Sequence, residues 1–140
     1  MSKAGWILAL ALTTGAALAE DARISFPSDY KSGFTNYLNL DRVQNDDQII
    51  HLFANDIALE AALAGKELPN GSVLVAEIYA AKKDNEGKVQ KSSLGLRIRD
   101  KLAAVAVMQK EEGWGATFPD GLRNGDWDFA IFSPDGKRLE

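Results

Sequence analysis

Glu77, His51, Asp126 and Asp128 are the side chains whose type and setting could do chemistry. Glu77 lies within Val73–Ala81, a run that is otherwise apolar. A carboxyl buried among such neighbours would have a raised pKa and could serve as a general acid or base. It could equally pair with Arg97 or Arg99 on a neighbouring strand, or face solvent or a second subunit. His51 is the single histidine of the sequence. On a strand it shares a face with Ile49 and Phe53, where it either ligates a metal, senses pH or serves as a hydrogen-bonded structural residue. A multi-histidine metal site is excluded, and any Ser-His-Asp arrangement must use this one residue. Asp126 and Asp128 are two apart, so a strand would put both on one face. They could form an acid/base pair or hold a hard cation, or they could end a strand and cap a turn. With no cysteine in the sequence, thiolate metal sites, disulfides and cysteine nucleophiles are excluded.

The elements that must position these groups follow from patterning. Pro69-Asn-Gly71 is a turn. Val73–Ala81 follows it as a strand with one face of Leu74, Ala76, Ile78 and Ala80 and another of Val73, Val75, Glu77 and Tyr79. Both faces are mostly apolar, which predicts an inner strand covered on both sides. The small Ala76 and Ala80 leave room either for a flat ligand or for bulky core side chains. Upstream, spacings of three and four through Tyr30, Phe34, Tyr37, Leu38 and Leu40 predict a short amphipathic helix, entered through Ser28 or Asp29. Gln48–Ala54 reads as a strand. Asn55 or Asp56 then caps a helix through Ala64, with Gly65 in the left-handed position that closes it. Residues 82–88 read as a hairpin loop with Gly87 at positive φ. Leu94, Leu96 and Ile98, alternating with Gly95, Arg97 and Arg99, predict an antiparallel return strand with one wet face. Residues 102–108 form a further strand candidate, with helix as the alternative. Residues 111–125 read as loop anchored by Trp114, and residues 126–132 as the last strand, with Trp127, Phe129 and Ile131 opposed to Asp128, Ala130 and Phe132. The fold class is α+β, a mainly antiparallel sheet with about two flanking helices.

The 140 residues carry 16 Lys+Arg against 20 Asp+Glu, a net charge of −4. That balance gives no basic footprint for nucleic acid. Residues 1–19 read as a secretory signal: Lys3, a short apolar core from Trp6 to Leu12, and Ala17-Leu18-Ala19 as a cleavage site. The apolar core is shorter than the ~20 residues of a membrane span. The expectation is export to the periplasm, no membrane attachment after cleavage, and a single domain over residues 20–140.

Further blocks carry a resemblance. They are Asp29-Tyr-Lys-Ser-Gly-Phe-Thr-Asn-Tyr37, His51-Leu-Phe-Ala-Asn-Asp-Ile-Ala-Leu-Glu60, Gly65–Lys82, Val107-Met-Gln-Lys110 with Gly113-Trp-Gly115, and Asn124-Gly-Asp-Trp-Asp-Phe-Ala-Ile-Phe132. Their order and spacing over residues 26–136 resemble the cytochrome P-460 family of exported c-type haem proteins, which includes the cytochrome c′-beta branch. The resemblance implies haem c against one face of an antiparallel sheet, usually in a homodimer. It implies either oxidation of hydroxylamine and nitric oxide, hence an oxidoreductase, or binding of nitric oxide and electron transfer with a redox partner protein. The oxidising members crosslink a lysine to the haem, and the matching position here is Ala76, which favours gas binding or electron transfer. Leu74, Ala76, Ile78 and Ala80 would face the macrocycle. Phe129 and Phe132 are further pocket candidates, of which only one can serve because they point to opposite faces. The family's C-x-x-C-H, which attaches haem and ligates its iron, is not found in these residues. The expectation is therefore a domain truncated at its C-terminus and less stable than a complete one. The alternatives are a chain cut at Leu139-Glu140 or a member that has lost haem. In that last case the fold is reused to bind a small non-haem ligand or a protein partner.

Overall fold

The computed structural model describes residues 22–140; the signal segment read at 1–19 lies outside the described residues. The chain runs α1 (Tyr30–Gly33), β1 (Thr35–Asp41), β2 (Gln48–Ala54), α2 (Asp56–Leu63), β3 (Val73–Ala81), β4 (Arg99–Lys110), β5 (Trp127–Phe132) and β6 (Arg138–Leu139). The strands form one antiparallel meander in the order β1-β2-β3-β4-β5-β6. It is a mainly antiparallel α+β fold, as the patterning predicts.

Several local readings hold. Asn55 caps α2 by accepting from the Ala58 N–H, and the same carboxamide accepts from Val73 N–H and donates to Gly71 C=O, tying the helix start to the head of β3. Gly65 takes φ +67°, the left-handed conformation that lets α2 stop without a Cβ clash.

The helix predicted over Tyr30–Leu40 does not extend past Gly33; residues 35–41 are β1. The physical reason is a β-bulge between Asn36 and Leu38. The extra residue breaks the two-residue alternation, so neighbouring apolar side chains no longer follow strict period two and imitate helical spacing. The return strand predicted around Leu94–Ile98 is also replaced. Residues 82–98 fold into a small arm in which Gln90 N–H donates to Lys82 C=O and Ile98 N–H to Gln90 C=O, with bridges Lys83–Val89 and Lys91–Arg97. Leu94 and Leu96 are exposed in it.

Arg97 holds the arm to the β1–β2 turn. Its guanidinium donates to the carbonyls of Arg42, Asn45 and Gln48 and to Asp46, and its backbone N–H donates to Asp41. Arg97→Ala is expected to cost about 1.5–3 kcal/mol by removing charge-assisted bonds. Native-state hydrogen exchange should then show lost protection confined to residues 82–98 and the 42–48 turn.

The core covers one face of the sheet. Phe53, Val75, Val107 and Ala130 form one cross-strand row; Val105 and Phe132 lie in the next, beside Glu77. Over them sit Tyr30 of α1 together with Ile24 and Phe26. The segment before α1 is thus anchored in the core: Ile24 is buried, Phe26 meets the Phe132 ring edge-on, and Arg138 donates to the Ile24 carbonyl.

Candidate functional site

The opposite face of the sheet is apolar and open. Its rows follow from the register: Leu38–Leu52–Ala76–Ala106–Ile131, Leu40–Ile50–Ile78–Ala104 and Ala54–Leu74–Met108–Phe129. Leu38 is 47% exposed and Phe129 52% exposed, where the equivalent core-face residues Val75 and Val107 are at or below 1%. The sequence reading of β3 as covered on both sides is therefore corrected: Val75, Glu77, Tyr79 and Ala81 are buried, while Leu74, Ala76, Ile78 and Ala80 are only partly so.

Leu74, Ala76, Ile78, Ala80 and Phe129 share this face. Phe132 does not; it is 3% exposed within the core on the other side. Sequence reading missed the rest of the floor, Leu38, Leu52, Ile50, Ala104, Ala106, Met108 and Ile131. Apart from Leu38, which adjoins the β1 bulge, they carry a period-two signal, but only cross-strand register shows which alternating set meets which. Alanines at 76, 104 and 106 keep the middle of the floor shallow. With strands about 4.8 Å apart, β2 to β4 give a planar macrocycle room to lie flat. One end is walled by α2, where Ala58, Leu59, Ala62 and Leu63 enclose a cavity of about 350 Å3 with Tyr37, Ala54, Leu68 and Leu74. Near the other end, Phe118 and Leu122 share a cavity with Met108 and Phe129.

Glu77 belongs to the core face. Its Oε1 accepts from the Tyr30 hydroxyl at 2.6 Å and its Oε2 from the Tyr79 hydroxyl at 2.7 Å. Lys31 Nζ is 3.2 Å from Oε1, and His51 Nδ1 is 3.7 Å from Oε2. Burial alone would push this carboxyl up, but the two hydroxyls and Lys31 outweigh it and hold it below the usual carboxylate range. The raised pKa expected from sequence is corrected: Glu77 is kept ionised, a poor general acid. Its partners are also not Arg97 or Arg99. Burial, then the bond to Glu77, raises both tyrosines, Tyr79 to about 12. His51 is lowered, first by burial and then by Arg99, against an opposing pull from Glu77.

Asp126 and Asp128 do not act together. Asp126 Oδ1 accepts from Gly115 N–H, and Asp128 pairs with Arg23 at 3.0 Å. Arg23 also lies over the Trp114 and Phe118 rings, clipping the segment before α1 to the 111–125 loop. Among the described residues, no group of three or more His, Cys, Asp and Glu side chains converges as for a metal ion.

The floor therefore fits the ring plane of a haem, while its only soft iron donor among the described residues is the Met108 thioether. His51 is on the wrong side of the sheet to reach iron there. No curated protein matches this chain. The model of the family described as Cytochrome P460 matches residues 27–140, the stretch that builds the sheet, and the chain belongs to the cytochrome P460 family.

Proposed function

We propose that this chain is the haem-carrying domain of an exported, periplasmic cytochrome that binds nitric oxide or a related nitrogen oxide, or passes electrons to a redox partner protein. Family membership implies a haem cofactor. The observation that carries the reading is the open apolar floor with Ala76, Ala104 and Ala106 at its centre. Leu74, Ile78, Met108 and Phe129 would bound the ring, and Phe129, not Phe132, would supply an aromatic wall. Haem brings the iron that binds diatomic ligands or changes oxidation state; the protein contributes an apolar surface that excludes water and sets the ring's tilt. Ala76 offers no amine for a crosslink, which supports gas binding or electron transfer over hydroxylamine oxidation. Thioether attachment as haem c would use cysteines outside these 140 residues, because none lies within them. Homodimer formation rests on the same resemblance.

The test is a haemin titration of the purified chain followed at the Soret band. Saturable binding is expected. Ala104→Trp and Ala76→Trp should each weaken it at least about tenfold without lowering the melting temperature, since both positions are only partly buried. His51→Ala should leave the bound spectrum unchanged. Absence of saturable binding, or binding indifferent to both tryptophans, would sink the haem reading. In that event the cavity between α2 and the sheet favours the second reading, a small apolar non-haem ligand.

A further inference from the structure

We infer that the chain carries a second site, an anion pocket beneath the 82–98 arm, in which Arg99, Asn39 and His51 bind a small planar oxyanion of the carboxylate or nitrate type. The cavity is about 310 Å3 and is lined by these residues together with Asp41, Leu96 and Arg97. Ile49 and Leu40, the latter at the edge of the apolar floor, complete the lining; the polar groups Asn39, Asp41 and His51 alternate to the opposite face of the sheet, and the inference stands whether or not haem binds the floor.

The argument is an inventory of what each polar group has left to offer. Arg97 is fully engaged by backbone carbonyls and Asp46, as described above. Asp41 accepts from the Arg97 N–H with both oxygens, at 3.2 and 3.1 Å. Glu77 is taken by Tyr30, Tyr79 and Lys31. Among the described residues, Arg99 has no carboxylate partner; its guanidinium lies 4.7 Å from the Tyr79 ring centroid. That contact, with the hydrogen bond the Arg99 side chain also makes to the Tyr79 hydroxyl, anchors the fork and leaves its remaining N–H groups for a ligand. Asn39 Oδ1 already accepts from Asn36, so the amide N–H2 of Asn39 is what remains. The Nδ1 side of His51 faces Glu77, leaving Nε2 for the cavity, where it donates once the ring is protonated. The unspent groups are donors, and a flat two- or three-oxygen anion matches a guanidinium fork flanked by two N–H donors.

Binding should be linked to the protonation of His51. The groups facing it are Asp41 from β1, Glu77 and Tyr79 from β3, and Arg97 and Arg99 from the arm and β4, with Lys31 of α1 behind Glu77. An anion on Arg99 offsets the cationic field that helps hold His51 low. It therefore raises the imidazole's pKa, and by reciprocity the anion binds more tightly as pH falls through that value.

Because His51 is the only histidine, its ring resonances report the site without ambiguity. The experiment is an NMR pH titration of the full chain in acetate, nitrate and chloride at equal ionic strength. A saturable upward displacement of the His51 midpoint is expected in acetate and nitrate, at millimolar concentrations, beyond that in chloride. Arg99→Gln, at an exposed position, should raise the midpoint in the absence of anion and abolish the response. An acetate response without one to nitrate, or the reverse, narrows the ligand class and still supports the pocket. Equal displacement in all three salts would reduce the effect to screening. A response that survives in Arg99→Gln, or no response in wild type, would equally overturn the assignment.

Discussion

Glu77→Ala is expected to lower the stability of this domain by about 3–5 kcal/mol, which for a domain of this size lowers the melting temperature by about 10–20 °C. The carboxylate is 3% exposed and is the common acceptor for two hydroxyls that approach from different elements. Removing it strands the Tyr30 and Tyr79 O–H groups in a dry interior and leaves Lys31 without its counter-charge. Glu77→Gln should cost less, about 1–3 kcal/mol, because one acceptor oxygen survives while the amide nitrogen opposes the other hydroxyl. The losses will not add. Adding Tyr30→Phe to Glu77→Ala should recover part of the loss, since one stranded hydroxyl is removed with it; thermal melts of the cycle measure that coupling. Additive losses would show that the cluster does not act as a unit.

The same cluster fixes how stability depends on pH. Glu77 has a folded-state pKa below its unfolded value. Its contribution is present above the usual carboxylate range and is lost as pH falls through the lowered folded value. The tyrosines run the other way: their folded values are raised, so stability begins to decline above the ordinary tyrosine pKa, about 10, and for Tyr79 declines up to about 12. Chemical denaturation across pH should show a plateau between these limbs, and Glu77→Gln should remove the part of the acid limb that Glu77 supplies.

The sequence reveals the strand–helix–turn–strand unit of residues 48–81 because each boundary there carries its own local chemistry: Asn55 as cap, Gly65 at positive φ, and Pro69-Asn-Gly71 as turn. It conceals β1 because a single bulge at residues 36–38 blurs the alternation on which strand recognition rests. It conceals β6, two residues long, because so short an edge has no period of its own. The floor is half legible. Alternation assigns Leu74, Ala76, Ile78 and Ala80 to one face, but whether that face is covered depends on where α1 and the Ile24–Phe26 lead-in pack. Those segments lie on the other side. The pairing of Glu77 with Tyr30 joins residues 47 apart in sequence, and no spacing rule reaches that far. Only Tyr79, two residues along the same strand, was within reach of a face argument.

Gly115→Ala is expected to be the most damaging single methyl in the loop that precedes β5, costing about 3 kcal/mol, at the upper end for overpacking. Gly115 is buried, and a Cβ there would stand 2.0 Å from the Gly125 carbonyl oxygen and 3.0 Å from Asp126 Oδ1. The obstacle is mainly backbone, so no rotamer change relieves it. Asp126 is also bonded to this segment, its Oδ1 accepting from Gly115 N–H, and Arg123 Nε donates to Gly115 C=O at 2.8 Å. Making room for the methyl must therefore break the contacts that hold the 111–125 loop against β5. Trp114 packs against the core from the adjacent position and carries the Arg23 contact, so the disturbance should reach Asp128 through Arg23. Tryptophan fluorescence should report it as increased solvent exposure of Trp114 at temperatures well below the global melt. A Gly115→Ala variant that melts with wild type and shows no change in Trp114 exposure would mean that the loop can close on β5 without this approach of the two backbones.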